Sequence, residues 1–192
     1  MTRKSKGVHD VVLRSFEKAI AATFIGNVYT AFFRQMTVNE FQMADIRPGH
    51  RILHVGCGSV PNTLLILAEA YEASYVGLDR DPTAVARARS MVRRYGLDAQ
   101  VAIKEGDALS VDYAGFDIIV LSLGVEPRED ILAAMRNGMD SRAKVVARKP
   151  WDFMDRLYGR EEFIPHGFRI VDTFHRPDFI KSMLLEPVER QG

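Results

Sequence analysis

Cysteine is almost absent from this chain, whose 192 residues include only Cys57, and tryptophan also occurs once. One cysteine excludes an internal disulfide framework, which favours a reducing compartment, so we expect a cytoplasmic protein. The formal net charge is +1, so no excess of one sign points to nucleic acid or a membrane surface as a partner. No apolar run is long enough to span a membrane, and no His, Cys and Asp cluster has metal-ligand spacing, so no metal site is predicted.

What is present is an ordinary globular composition and one strongly patterned stretch, RILHVGCGSVPNTLLILAEAYEASYVGLDRD, from Arg51 to Asp81. It predicts a strand over 52–55, a glycine turn, a helix over 62–71 with Asn62 or Thr63 as N-cap, and a second strand over 74–78. Asp79 follows this strand, where a carboxylate suits two neighbouring ribose hydroxyls. The stretch therefore predicts a nucleoside site at the carboxyl edge of a parallel sheet.

The type of nucleoside follows from Pro61, which occupies the third glycine position of a G-x-G-x-x-G fingerprint. Proline has no N–H for a phosphate and fills the site where a glycine would allow close helix packing. A dinucleotide is therefore disfavoured, and a nucleoside without phosphates, such as S-adenosylmethionine (SAM), fits better. The alternative is an α/β domain in which the glycines only make a tight turn.

The rest of the chain alternates between predicted strands and helices and ends in a strand pair. The expected elements are a helix over 82–95 with Asp81 as N-cap, a strand over 100–104, a strand over 116–123, a helix over 128–137, a strand over 143–147, a short helix over 152–158, and paired strands over 168–174 and 179–185. This order predicts an α/β fold: a Rossmann-like, doubly wound, mostly parallel sheet with an antiparallel C-terminal strand pair.

The first part of the chain is predicted to be an N-terminal helical arm. Apolar residues recur at helical spacing between residues 8 and 43, and Thr37 or Asn39 is a candidate cap for a further short helix over 40–44. We expect residues 1–45 to form an arm or lid and residues 46–192 to form the nucleoside-binding domain. The apolar arm is also a candidate surface for a homodimer.

Four motifs resemble class I SAM-dependent methyltransferases: LHVGCGS, YVGLDRDP, EGDAL and FDIIVLSL. The resemblance implies the class I methyltransferase fold and SAM as the cofactor. In that family the glycine turn holds the methionine part, the acid after the second strand holds the ribose, and the acid after the third strand reaches the adenine amino group. The candidate cofactor contacts are Gly56, Cys57, Gly58, Ser59, Asp79, Arg80, Gly106, Asp107, Ala108 and Ser122.

A second resemblance lies within that superfamily. VGCGSVPNT is similar to the G-x-G-P-L-P-L-T stretch of nicotianamine synthases, and GVEPREDILAAMRNGMDSRAKVVAR followed by Leu157-Tyr158 is also similar. Those enzymes transfer the aminocarboxypropyl group of SAM to an amine and release methylthioadenosine. Here Ser59 replaces a proline, and the N-terminal helical portion is short. Methyl transfer is therefore the first expectation, and aminocarboxypropyl transfer is the alternative.

Few side chains are needed for the chemistry itself, because the SAM sulfonium is already activated and the enzyme mainly aligns the nucleophile. Glu126 is the candidate general base for an amine or hydroxyl acceptor, or else a turn acid before Pro127. The candidate substrate contacts are Tyr29, Arg148, Lys149 and Trp151, with packing or surface turns as the alternatives. His54 is interpreted as a structural residue that alternates away from the core run. Cys57 has no basic partner that would make it a nucleophile.

The sequence thus predicts a SAM-dependent methyltransferase that acts on a small-molecule acceptor by direct in-line transfer. The first alternative is a nicotianamine synthase-like aminocarboxypropyl transferase. The second is a SAM- or nucleoside-binding protein without catalysis, and the third is an RNA or protein methyltransferase. No nucleic-acid or membrane partner is expected.

Overall fold

The computed structural model describes residues 26–151 and 165–188, with side chains from Phe33 onward in the first range. Helices and strands alternate through most of the first range, and the second range contains two strands. In chain order they are α1 (Gly26–Gln42), β1 (Arg51–Val55), α2 (Asn62–Ala70), β2 (Ser74–Asp79), α3 (Pro82–Arg94), β3 (Val101–Glu105), β4 (Ile118–Leu121), α4 (Arg128–Gly138), β5 (Lys144–Pro150), β6 (Phe168–His175) and β7 (Ile180–Pro187).

The strands form one sheet in the order β3-β2-β1-β4-β5-β7-β6. Strands β1 to β5 are parallel to one another, whereas β7 pairs antiparallel with both β5 and β6. The strand order reverses between β1 and β4, which is the topological switch point where open α/β sheets bind their ligands. This is the class I methyltransferase fold, so the predicted fold class is confirmed, including the antiparallel C-terminal pair.

Both faces of the sheet carry a buried apolar layer. Ile52 of β1 and Val146 of β5 pack on the face that α1, α2 and α3 cover. Leu53 and Val145, their chain neighbours, pack on the face that α4 covers. Central parallel strands are buried on both sides, so β1 and β4 form nearly continuous apolar runs. Within the described ranges, none of the helices combines the length and apolarity needed to cross a bilayer.

The caps of two helices test the sequence predictions directly. Helix α3 starts as expected: Asp81 is its N-cap, and its carboxylate accepts a hydrogen bond from the N–H of Thr83 at 2.8 Å. Helix α2 starts differently from the prediction, because its N-cap is Pro61 and no side chain caps it with a hydrogen bond. The prediction of Asn62 or Thr63 as cap was therefore wrong. The Thr63 hydroxyl instead accepts a hydrogen bond from Arg148.

The prediction of a separate short helix over 40–44 was also wrong, because α1 continues without a break to Gln42. Thr37, a proposed cap, is buried inside this helix, and the side-chain oxygen of Asn39 accepts a hydrogen bond from Gln35 one turn earlier. Phe41 is fully buried in the core, so the end of α1 packs as part of the domain. The predicted division at residue 45 stays a prediction, since residues 1–25 lie outside the described ranges, as does the predicted helix over 152–158.

Candidate active site

The glycine turn after β1 lies at the switch point of the sheet. Gly56 and Gly58 both have positive φ, +74° and +69°. The N–H groups of Gly56 and Cys57 donate to the carbonyl of Leu78, at 2.8 and 3.1 Å, so the turn is hydrogen-bonded to the end of β2. A Cβ on Gly56 would lie 2.3 Å from Val125 Cγ2. This position therefore requires glycine for its backbone conformation and for the segment packed against it.

Asp79 connects this turn to the loop after β2. Its Oδ2 accepts a hydrogen bond from the N–H of Gly58 at 2.8 Å, and its Oδ1 accepts one from the N–H of Asp81 at 3.0 Å. The residue is half-buried, and each carboxylate oxygen has a second lone pair. Those lone pairs are what two ribose hydroxyls require, and this role stays a prediction. Of the neighbouring candidates, Ser59 is half-buried and Arg80 is exposed.

The loop after β3 lies beside Asp79. The N–H of Gly106 donates to the carbonyl of Asp79 at 3.0 Å. The exposed Asp107 turns the chain, since its Oδ1 accepts a hydrogen bond from the N–H of Leu109 at 3.0 Å. Ala108 is buried in the core. The structure thus brings the carboxylates predicted for ribose and adenine to neighbouring strand ends at one edge of the sheet.

The Cys57 side chain lies in the apolar core rather than in the turn. Burial, and secondarily the charge of Asp79, raise the pKa of its thiol to about 12. A Cβ on Gly77 would lie 3.0 Å from the sulfur, so the thiol packs onto β2. Its S–H also contacts the turn, with 3.8 Å between Sγ and the carbonyl oxygen of Gly58. The thiol is protonated at neutral pH, which agrees with the expectation that it is not a nucleophile.

Ser122 follows β4 and pairs with His54 of β1. His54 Nε2 lies 2.7 Å from Ser122 Oγ. The expectation that His54 alternates away from the core was wrong, because only 3% of it is exposed. Burial, and then the charge of Arg148, lower the pKa of His54 from 6.5 to about 3. The imidazole is therefore neutral, and its Nδ1 is buried without a hydrogen-bond partner among the described residues.

Glu126 lies on the exposed loop between β4 and α4. Its Oε2 accepts a hydrogen bond from the N–H of Arg128 at 3.1 Å, so in this structure the carboxylate holds the start of α4. The guanidinium of Arg128 folds back, and its Nη1 donates to the carbonyl of Ser122 at 3.2 Å. Burial lowers the pKa of Arg128 to about 10, and the negative charge of Glu126 offsets part of this decrease. The predicted role of Glu126 as a general base stays a prediction.

Arg148 belongs to a buried ionic cluster, here called the Glu40 cluster. Its Nε and Nη2 donate to the two carboxylate oxygens of Glu40, at 2.7 and 2.8 Å. Glu40 also accepts hydrogen bonds from Arg176 and from Ser182, each at 2.6 Å. Burial alone would raise the pKa of Glu40, but the charges of Arg148 and Arg176 and the hydrogen bonds from Arg148 and Ser182 hold it below its ordinary value. The members are Glu40, Thr63, Arg148, Arg176, Asp178 and Ser182.

The predicted substrate contacts Arg148, Lys149 and Trp151 lie at the end of β5 and directly after it. Arg148 and Lys149 are consecutive in β5, so their side chains point to opposite faces of the sheet, and both are buried. Trp151 packs against the turn between β6 and β7: its indole N–H donates to the carbonyl of Ile180 at 3.0 Å, and its ring meets Phe179 edge to face. Substrate contacts by these residues stay predictions. Tyr29 lies in the part of α1 whose side chains are outside the described residues.

Sequence reasoning missed Arg128 and Glu40. For Arg128 a signal existed, because a cation in the first turn of a helix opposes the helix dipole and suggests another task. For Glu40 no local signal existed, because its partners are at least 108 positions away along the chain. In residues 26–151 and 165–188, no group of three His, Cys, Asp or Glu side chains could hold a metal ion.

Comparison with protein families identifies the central part of this site. Residues 52–141 match the model of a methyltransferase domain. This range runs from β1 to the end of α4 and includes the glycine turn, Asp79, Asp107 and Ser122. The predicted likeness of this region to SAM-dependent methyltransferases is therefore confirmed.

Curated relatives include aminobutanoyltransferases and methyltransferases. L-histidine 2-aminobutanoyltransferase of Yersinia pestis is 32% identical over 120 residues, covering 62% of this chain and 45% of that protein. The enzyme of the same name from Pseudomonas aeruginosa is 34% identical over 157 residues, covering 80% and 49%. Ribosomal protein L11 methyltransferase of Thermosipho africanus is 40% identical over 88 residues, covering 45% and 32%. The chain spans about half the length of the aminobutanoyltransferases that it matches.

Solved structures share the fold. MtNAS, a nicotianamine synthase crystallised with MTA and tNA, superposes with a TM-score of 0.74 at 19% identity, covering 90% of this chain and 68% of that one. An RNA methyltransferase from Salinibacter ruber, crystallised with S-adenosyl-L-homocysteine, gives 0.65 at 17% identity, covering 81% and 92%. The predicted likeness to class I methyltransferases and to nicotianamine synthase is confirmed.

Proposed function

We propose that this chain is a SAM-dependent transferase that moves the aminocarboxypropyl group of SAM onto an amine of a small-molecule acceptor. The observation that carries this proposal is the extent of the match to the aminobutanoyltransferases. One of them aligns with 80% of the chain, well beyond the methyltransferase domain of residues 52–141. The L11 methyltransferase aligns with only 45%. The proposal therefore reverses the first expectation from the sequence, in which methyl transfer came before aminocarboxypropyl transfer.

SAM is the cofactor of either reaction, and the same residues would hold it. The half-buried carboxylate of Asp79 would accept hydrogen bonds from the ribose hydroxyls, and Asp107 would reach the adenine amino group. Gly56 and Gly58 themselves put no Cβ between the turn and the methionine part. Pro61 begins α2 without an N–H, which suits a nucleoside that carries no pyrophosphate.

The proposed step is one displacement at carbon. The lone pair of the acceptor amine forms a bond to the γ-carbon of the methionine part, and the bond from that carbon to sulfur breaks. Its electron pair stays on sulfur, so the sulfonium becomes neutral methylthioadenosine. The amine then loses a proton to water or to a base such as Glu126. Because the sulfonium is a good leaving group, catalysis consists mainly of aligning amine, carbon and sulfur.

The acceptor we propose is an amino acid, with L-histidine as the first candidate. The support is the name of the relatives, L-histidine 2-aminobutanoyltransferase, since the aminocarboxypropyl group of SAM is an aminobutanoate unit. Methyl transfer is the second candidate, favoured by the methyltransferase domain match and by the 40% identity with an L11 methyltransferase.

Product analysis with two radiolabelled forms of SAM tests the proposal. The full chain is incubated with L-histidine and SAM labelled either in the methyl group or in the carboxyl carbon. We expect methylthioadenosine as the nucleoside product, and transfer to histidine of the carboxyl label only. Transfer of the methyl label with S-adenosylhomocysteine would overturn the proposal in favour of methylation. SAM binding without transfer to histidine or to a panel of amino acids and polyamines would overturn it in favour of a nucleoside-binding protein.

Asp79→Asn tests the pocket in the same assay. The amide offers one acceptor oxygen and an NH2 group that cannot accept from a ribose hydroxyl. We expect SAM binding to weaken by about tenfold or more, as for other hydrogen bonds to a charged group. Asp98→Asn is the matched control, because Asp98 is an exposed carboxylate just before β3, at the opposite end of that strand from the proposed site. Equal SAM affinity in both variants would exclude Asp79 from the site.

A further inference from the structure

His54 and Ser122 form a polar pair directly beneath the glycine turn. The pair joins the ends of adjacent strands, with 2.7 Å between His54 Nε2 and Ser122 Oγ. A Cβ on Gly56 would lie 3.3 Å from Ser122 Cβ and 3.8 Å from its Oγ. The hydroxyl therefore lies between a buried imidazole and the backbone that faces the expected methionine part. A buried histidine in a central strand is costly unless its polarity is used.

The direction of this hydrogen bond follows from the surroundings of the ring. Burial and the charge of Arg148 keep the imidazole neutral, so one ring nitrogen donates and the other accepts. Nδ1 has no partner among the described residues. A buried N–H without an acceptor is rarer than an under-used acceptor, which favours a lone pair rather than a proton at that atom. The proton is therefore on Nε2, which donates to Ser122 Oγ.

This direction decides what Ser122 can bind. A hydroxyl that accepts from His54 turns its own hydrogen elsewhere, and the glycine turn is within reach, since a Cβ on Gly56 would lie 3.8 Å from the hydroxyl oxygen. The guanidinium of Arg128 donates to the carbonyl of the same serine at 3.2 Å, so positive charge lies at the same place. A donor hydroxyl next to a cation suits an anionic oxygen. The methionine part of SAM carries one such group, its carboxylate.

We infer that His54 is a positioning residue that fixes the Ser122 hydroxyl as a hydrogen-bond donor to the carboxylate of the methionine part of SAM. The inference rests on the proposed SAM site. Under the proposed reaction this carboxylate belongs to the group that is transferred. The pair would therefore restrict rotation of that group and hold its γ-carbon toward the acceptor.

Two ligands and three variants test the inference by calorimetric titration. The ligands are SAM and decarboxylated SAM, which keeps the sulfonium and the amine but lacks the carboxylate. We expect Ser122→Ala and His54→Leu to weaken SAM binding by about tenfold, the effect of one hydrogen bond to a charged group, and to leave decarboxylated SAM unchanged. His54→Gln retains an N–H near the position of Nε2, so it should restore most of the preference for SAM.

The outcomes separate the possibilities. Equal losses for both ligands in every variant would mean that the pair only supports the fold, and an unchanged preference for SAM in Ser122→Ala would exclude contact with the carboxylate. Either result would overturn the inference and leave the proposed function standing. Wild-type protein that binds neither ligand would overturn both. Decarboxylated SAM distinguishes these cases because a structural role of His54 cannot depend on whether the ligand carries a carboxylate.

Discussion

Replacing Glu40 by glutamine is expected to be the most destabilising polar substitution near the candidate site. The side chain is fully buried, and its carboxylate accepts hydrogen bonds from Arg148, Arg176 and Ser182. The Glu40 cluster contains two guanidinium groups and two carboxylates, so its formal charges cancel. Glutamine keeps the shape but removes one negative charge and leaves one buried cation uncompensated. Losses of this kind are about 3–5 kcal/mol, out of a total stability of about 5–15 kcal/mol.

Urea unfolding followed by circular dichroism measures this loss. Glu69→Gln is the matched control. Glu69 of α2 makes an exposed salt bridge with Arg34, which lies on α1 like Glu40. Exposed pairs contribute only about 0–1 kcal/mol. Adding Arg148→Met to Glu40→Gln restores charge balance, so the double variant should be more stable than the sum of the single losses predicts. A loss below 1 kcal/mol in Glu40→Gln, equal to that in the control, would refute the reasoning.

Three further predictions concern pH, the thiol and the turn. Because the pKa of His54 falls from 6.5 to about 3 on folding, the free energy of unfolding should decrease as the pH drops below 6.5, and His54→Leu should flatten that slope in urea titrations between pH 6.5 and 5. Cys57 is the only cysteine and is buried, so Ellman's reagent should label it at the rate of opening or unfolding, and fast labelling of the native protein would contradict its placement. Gly56→Ala should abolish SAM binding or folding, since its Cβ would lie 2.3 Å from Val125 Cγ2. In Gly96→Ala the new Cβ would have no atom within 4 Å, so we expect this variant to lose only about 1 kcal/mol of stability, measured by thermal unfolding. Similar melting temperatures for the two variants would contradict the close packing at the turn.

The local parts of the fold were predictable from the sequence because their signals lie within a few residues. The glycine turn, the Asp81 cap and the strand pair at the C-terminus each depend on neighbouring side chains and backbone preferences. The acids at the end of β2 and after β3 could be placed at one sheet edge because parallel strands bring their carboxyl ends together.

The polar interior was not predictable in the same way. His54 breaks an apolar run and suggests an outward-facing position, but a central parallel strand is buried on both faces, so alternation does not indicate exposure. Arg148 suggested a substrate contact because a cation after a buried strand is often exposed. Its partner Glu40 lies on a helix 108 positions earlier, and no local pattern links the two. The Thr37 cap failed for a related reason, since packing against the sheet continues α1 past a residue that could have begun a new helix.

The spacing of the Glu40 cluster along the chain also affects how the protein is made. Glu40 leaves the ribosome well before its partners, because Arg148, Arg176 and Ser182 follow it by 108, 136 and 142 residues. At roughly 5–20 residues per second, on the order of 10 s pass between the synthesis of Glu40 and that of its last partner. Glu40 can accept all of its hydrogen bonds only after β7 has been made, so synthesis of the last described strand completes the docking of the first described helix.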